Sequence, residues 1–269
     1  MFNMHTHSTH SHDGKNTVFE MCEEAYKRGL KGIAITDHVD LTLYKLRNVF
    51  NEISKSIEDA IQAKKQYANK MKVLVGLEMG EATLEPIKAK EIYSLKGVDF
   101  ILLSRHFMPS FSYESEFGFS DIPLWSTKKL DRFCEEYYTA ILDAVKNTDF
   151  DSVAHLTLPL RYFNGKYNKG YDLTKFDNLI KEILKSVVKQ KKALEINTSN
   201  FINYNIFMPD EYYIKMFLSL GGKYFTVGSD AHNTTNMANG LKEGYNLLKS
   251  LGVEEYCYFE NRKIVLEKI

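Results

Sequence analysis

The eight histidines of this 269-residue chain are not scattered like solvated surface groups. His5, His7, His10 and His12 crowd the start, while His38, His106, His155 and His232 each follow an apolar run: GIAIT, FILLS, DSVA and FTVGS. Carboxylates keep the same company: Asp37 precedes His38, Glu78 ends VLVGL, and Asp230 stands two before His232. His5 and His7 are two apart, as are Asp230 and His232, so on extended backbone each pair points to one side. Imidazole and carboxylate together suit zinc, iron or manganese, and no cysteine joins the set to make a thiolate site. A lone histidine is ordinarily a satisfied core or surface residue. Five strand-like runs each delivering one read instead as a metal cluster, against the blander alternative of a polar mouth held by hydrogen bonds. On spacing alone, His10 is expected to face solvent.

Residues so far apart in sequence converge only if the fold gathers strand ends. Strand-like runs fall at Phe2–His5, Gly32–Thr36, Val73–Glu78, Phe100–Ser104, Ser152–His155, Ala193–Asn197 and Tyr224–Gly228. Between them lie amphipathic stretches at helical spacing: Val18–Arg28, Val49–Met71, Leu84–Leu95, Thr127–Lys146, Leu173–Lys189, Asp210–Ser219 and Thr234–Ser250. Alternating strand and helix implies a parallel sheet with helical crossovers. An open doubly wound sheet would cluster its polar residues at one switch point, whereas a barrel collects every strand's C-terminal end around one mouth. Polar residues follow nearly every run, so the expected fold is α/β, an incomplete (β/α)7 barrel forming a single domain over residues 1–269. Tyr256–Phe259 and Lys263–Leu266 are expected to close the chain as a hairpin around Glu260, Asn261 and Arg262.

Thirty-five basic and 35 acidic residues leave no formal net charge, which argues against binding nucleic acid or anionic lipid over a broad surface. MFNMHTHSTH has neither the basic nor the apolar region of a secretory signal, and no run approaches the ~20 apolar residues of a membrane span. Cys22, Cys134 and Cys257 form no CxxC pair or disulfide framework, so buried thiols in a reducing cytoplasm are expected.

The marks HTH at His5–His7, ITDH at Ile35–His38, the lone His155 in VAHL and SDAH at Ser229–His232 come in the order found in the polymerase and histidinol phosphatase (PHP) family, which the chain resembles. GLE at Gly76–Glu78, SRH ending at His106 and LEINTS at Leu194–Ser199 are similar to its stand-alone histidinol-phosphate phosphatase branch. The resemblance implies a distorted (β/α)7 barrel holding three divalent metals. His5, His7, Glu78 and Asp230 would hold the first, and Glu78, His106 and His155 the second. His38, His232 and a residue of Ser11-His12-Asp13-Gly14 would hold the third; SxDG matches Asp13, with His12 the alternative. Three divalent ions against Asp13, Glu78 and Asp230 leave positive charge for a hydroxide and a phosphate dianion.

The implied activity is hydrolysis of L-histidinol phosphate in histidine biosynthesis. A metal-bridging hydroxide would be the nucleophile, with Asp230, His232 and His38 as the catalytic residues. Arginine's planar fork suits phosphate, and Arg161 and Arg105 are the candidates, Arg105 on the condition that strand alternation does not turn it away. Asp37 is expected either to back His38 or to cap a helix. The aromatics Phe107, Phe111, Tyr113, Phe117, Phe119, Trp125, Phe201, Tyr204 and Phe207, with Glu114, Glu116 and Asp121, either wall a cationic substrate or pack the loops down. Competing expectations are a PHP phosphoesterase for another small phosphomonoester or nucleotide, and a non-catalytic metal-binding module.

Overall fold

A computed structural model describes residues 1–43, 49–111 and 120–269. Its parallel strands are β1 (Phe2–Asn3), β2 (Gly32–Ile35), β3 (His38–Asp40), β4 (Lys72–Gly80), β5 (Phe100–Ser104), β6 (Ser152–Val153), β7 (Ala193–Asn197) and β8 (Phe225–Gly228). They run in the order β1-β2-β4-β5-β6-β7-β8, with β3 continuing the path of β2 along β4. Backbone bonds from Met4 N–H to Val227 O, Asp230 N–H to His5 O and His7 N–H to Ala231 O, each 2.9 Å, bring the last strand back to the first. The result is a nearly closed barrel of seven staves. Strands such as FILLS and ALEIN are buried along their whole length, as a parallel sheet covered on both faces requires.

The longer helices are α1 (Val18–Lys27), α2 (Val49–Gln66), α3 (Pro86–Tyr93), α4 (Thr127–Asn147), α5 (Asp177–Lys189), α6 (Glu211–Ser219) and α7 (Leu241–Ser250), with short helical turns at Leu158–Leu160 and Phe201–Tyr204. Local chemistry sets their starts. Thr17 and Glu20 form a capping box on α1, Ser126 caps α4 and Asp210 caps α6. Helix α5 buries Ile180, Ile183, Leu184 and Val187, one stripe at helical period. Several boundaries depart from the sequence expectation: α2 ends at Gln66 instead of Met71, α5 starts at Asp177 after a 3-10 turn at Thr174–Phe176, and β1 and β6 stop at Asn3 and Val153. The stretch from Thr234 is a 3-10 turn at Thr234–Asn236, and α7 starts only after Gly240, whose φ of 67° breaks the helix. Strand β4 runs two residues past Glu78, because β3 supplies it with a further neighbour.

The chain ends in the hairpin β9 (Glu255–Glu260) and β10 (Lys263–Lys268), turned through Asn261 and Arg262 at φ of 48° and 64°. It closes the N-terminal end of the barrel. Tyr258 stacks on Phe2 at 4.4 Å, Phe259 on Phe100 at 5.1 Å, and Arg262 pairs with Asp151 and Asp149. Cys22, Cys134 and Cys257 are free and buried, and burial pushes the first two thiols up to about 12. No helix among the described residues is long and apolar enough to cross a membrane.

Candidate metal centre

With one end plugged, the C-terminal rim carries the polar residues. His5 and His7 leave β1, His38 opens β3, Glu78 lies near the end of β4, and His106, His155 and Asp230 directly follow β5, β6 and β8. Glu78 is fully buried at the centre. Its Oε2 lies 3.4 Å from His5 Nε2, 3.5 Å from His7 Nε2 and 2.9 Å from His38 Nδ1. Its Oε1 lies 3.1 Å from His106 Nε2 and 2.9 Å from His155 Nε2. Asp230 Oδ1 is 3.3 Å from His7 Nε2 and 3.7 Å from His5 Nε2. Asp13 stands beside His232 and His38, at 3.1 and 3.7 Å. All nine residues expected as ligands therefore meet at one place. His12 is a neighbour too, its ring 5.3 Å from that of His38.

Several of these atoms converge within ion-pair distance without the alignment of a hydrogen bond. His5 Nε2, His7 Nε2, His38 Nδ1 and Glu78 Oε2 are buried and accept or donate no hydrogen bond. Buried polar atoms are ordinarily satisfied, so a group of orphans aimed at common points fits divalent cations. Sets whose donor atoms lie within 4.8 Å of one another include His5, His7 and Asp230; Glu78, His106 and His155; His7, His38 and His232; and His12, Asp13 and His38. The electrostatics agree. Burial opposes charge on His5, yet Glu195, Glu78 and Asp230 hold its imidazole pKa well above the ordinary value. Burial likewise opposes charge on His38 and His106. Glu78 and Asp40 overcome it, taking His38 up to about 9 and His106 well above its usual range. Burial would raise Glu78 and Asp230, but the surrounding imidazoles hold both carboxyls well below theirs. In His7, burial and the neighbouring His232 and His38 push the pKa down to about 3. The floor demands positive charge, and protons supply it when nothing else does.

The backbone is strained at two of the candidate ligands. His155 has φ of 26° and Asp230 φ of 53°, conformations that cost non-glycine residues about 1–3 kcal/mol each and persist only where the surroundings impose them. Sequence spacing missed the groups behind the ligands. Glu195 Oε1 is 2.7 Å from His5 Nδ1, Asp40 Oδ1 is 3.1 Å from His106 Nδ1, and Glu81 accepts the backbone N–H groups of His106 and Phe107. Asp37 neither backs His38 nor caps a helix. It accepts from Ser8 N–H and the hydroxyls of Ser8, Ser11 and Ser56, fixing the loop that carries Asp13. His10 is turned from solvent, its Nε2 2.9 Å from Asp59.

Above the floor opens a cleft of about 690 Å³, lined by Asp13, Lys15, Arg161, Tyr162, Lys166, Ser199 to Asn200, Ile202 to Tyr204 and Asn233, among others. Arg161 begins a π-helical segment, Arg161–Lys166, and its Nη1 lies 3.7 Å from Asp230 Oδ2. Arg105, one residue past the end of β5, does not line this cleft. It is buried toward Glu81 and Glu136 and borders separate hollows beside Arg132 and Phe133. Phe111 and Trp125 pack on Phe133 at 5.0 and 5.8 Å, and Phe201 stacks on Phe207 at 4.6 Å, so these rings hold loops down. Asp121 bonds the Trp125 indole, Tyr204 lines the cleft, and Tyr113, Glu114, Glu116, Phe117 and Phe119 lie outside the described residues.

The PHP domain model matches residues 3–199. A "probable histidinol-phosphatase" of Thermotoga maritima is 28% identical over 270 residues, the full length of both chains. The histidinol-phosphatase of Lactococcus lactis is 27% identical over 97% of this chain and 94% of its own. The crystal structure of the Lactococcus lactis histidinol phosphate phosphatase, complexed with zinc, L-histidinol and phosphate, superposes with a TM-score of 0.73 at 25% identity, covering 98% of each chain. A matching barrel, the ordered ligand marks and a family match over most of the length lead to one conclusion: this chain belongs to the PHP domain family.

Proposed function

We propose that the chain hydrolyses L-histidinol phosphate to L-histidinol and inorganic phosphate with three divalent cations bound at the rim. The observation that carries this is the buried convergence of orphaned imidazole and carboxylate atoms on Glu78 beneath an open cleft. The Lactococcus lactis relative, with its zinc, histidinol and phosphate, supports the choice of substrate. His5, His7, Glu78 and Asp230 would hold one cation, Glu78, His106 and His155 a second, and His38, His232 and Asp13 a third. The chemistry such cations supply is Lewis acidity toward phosphoryl oxygens and a lowering of water's pKa from about 16 toward about 7, which makes hydroxide available as nucleophile.

The chain's own groups do the rest. Arg161 is partly exposed at the cleft wall, and its planar fork suits phosphate oxygens as acceptors of two parallel bonds. Lys15 and Lys166 line the same space and add positive charge for the substrate dianion. Tyr162 and Leu158 add apolar surface to the lining of the cleft. Among the described residues lining the cleft, the carboxylates are Asp13, Glu78 and Asp230, all assigned to cations. The organic part of the substrate therefore meets the amides of Asn200, Asn203, Asn233, Asn236 and Asn239 and the ring of Tyr204, whose carbonyl oxygens and π-face suit an ammonium or imidazole.

The discriminating experiment compares kcat/KM for histidinol phosphate with a panel of phosphomonoesters, nucleotides included. The expected result is the highest value for histidinol phosphate. A higher value for a nucleotide reassigns the substrate, and no phosphate release from any member leaves only a metal-binding module.

A further inference from the structure

Glu195 sits in the middle of β7, in the run ALEIN, and is completely buried. Its two oxygens face two different ligands. Oε1 lies 2.7 Å from Nδ1 of His5, and Oε2 accepts the backbone N–H of His155 at 2.7 Å, with the Asn197 amide at 3.2 Å. A carboxylate only accepts, so the short contact keeps a proton on Nδ1 of His5 and leaves Nε2, which faces Glu78 and Asp230, as the nitrogen that would ligate a cation. The other oxygen holds the peptide of His155, the ligand residue whose φ of 26° needs an external constraint.

The path between Glu195 and His5 is itself built into the barrel. Strand β8 lies between β7 and β1, so the pair must pass over it. The residue it passes over is Gly228, paired in register with Asn197. A Cβ there would stand 2.4 Å from the Cβ of His5 and 2.6 Å from Oε1 of Glu195. Only a bare Cα lets the carboxylate and the imidazole meet.

We propose that Glu195 is a positioning residue that clamps His5 and His155 together, setting the tautomer of one and the backbone of the other so that two cation positions are shaped by a single side chain. The proposal rests on the reading that the rim binds divalent cations. Glu195→Gln is nearly isosteric. Its amide oxygen still accepts the His155 N–H, but its NH2 then meets His5 Nδ1 and selects the opposite tautomer, with the proton on Nε2.

Metal-free wild-type protein and Glu195→Gln are titrated with zinc against a chromophoric chelator, and with cobalt to record its ligand-field absorption. The expected result is zinc uptake by the wild type, a loss of affinity of about 10- to 100-fold in Glu195→Gln, and an altered cobalt spectrum. Wild-type zinc affinity together with a wild-type cobalt spectrum in Glu195→Gln overturns the clamp while leaving the metal reading intact. A wild type that takes up neither metal overturns both. A second measurement needs no variant and holds even if Glu195→Gln does not fold. In zinc-loaded wild-type protein, 15N spectra of the histidines should show His5 protonated at Nδ1 and ligated through Nε2; ligation through Nδ1 overturns the clamp.

Discussion

Glu78 is shared by five imidazoles, those of His5, His7, His38, His106 and His155, each within 3.5 Å of one of its oxygens. A carboxylate so placed can bridge cations, and Asp230 closes the set from the far side of the barrel. Removing that charge should affect catalysis more than folding. For Asp230→Asn we predict a fall in kcat/KM of about 100-fold or more, while the metal-free melting temperature stays within about 3 °C. Equal activity would remove Asp230 from the site. Arg161→Met should lower kcat/KM by about 10- to 100-fold, the worth of charge-assisted bonds to phosphate, and should leave metal content unchanged. An unchanged kcat/KM would reject phosphate contact there. The imidazoles also make a pH prediction. His38 is raised in the folded metal-free protein from 6.5 to about 9, burial opposing and Glu78 and Asp40 prevailing. Its stabilising charge is complete below the unfolded value and is lost as pH climbs through the folded one. The melting temperature of metal-free protein should therefore fall between pH 6.5 and 9. A rise across that window in a thermal-melt series would contradict the assignment.

At the scale of elements, the barrel divides its labour between its two ends. The N-terminal end is a plug, in which β9 and β10 cover Phe2 and Phe100 and Arg262 faces the buried Asp151. Arg262→Met leaves that carboxylate with Lys192 at 3.8 Å as its remaining cation, and we predict a loss of about 1.5–3 kcal/mol in denaturant unfolding. The kcat/KM of the folded fraction should stay within about twofold, because the plug and the rim share no partners. Normal stability with impaired turnover would contradict this division. The same division explains what was legible in the sequence. Short apolar runs each followed by histidine or a carboxylate announce parallel strands and their rim, so the staves and eight of the ligand candidates were recognisable in advance, while Asp13 rested on the family resemblance, with His12 as its alternative. Glu195 was not, because ALEIN reads as an ordinary strand and nothing local tells that its carboxylate crosses Gly228 to a residue 190 positions away. Asp40 was hidden for the same reason, since the third strand is made only by pairing with β4. Arg105 shows the converse. Adjacent to a candidate ligand in sequence, it lies one residue past the end of β5 and is buried toward Glu81 and Glu136 instead of lining the cleft.

For the whole molecule, sequence order and spatial order differ in a way that matters for function. His5 and Asp230 lie at opposite ends of the catalytic region, and barrel closure between β1 and β8 makes them neighbours. The cleft above them is walled by cationic and amide side chains, while the acidic groups are concentrated on its floor. Under the proposed function, that arrangement would set a phosphate between cations below and Arg161 at the side. The most direct test is a single preparation assayed for metal content and for phosphate release from histidinol phosphate, before and after chelation. The account predicts divalent metal in the active protein, loss of turnover on its removal, and recovery when zinc or manganese is restored. Phosphate release that persists at full rate in metal-free protein would contradict it.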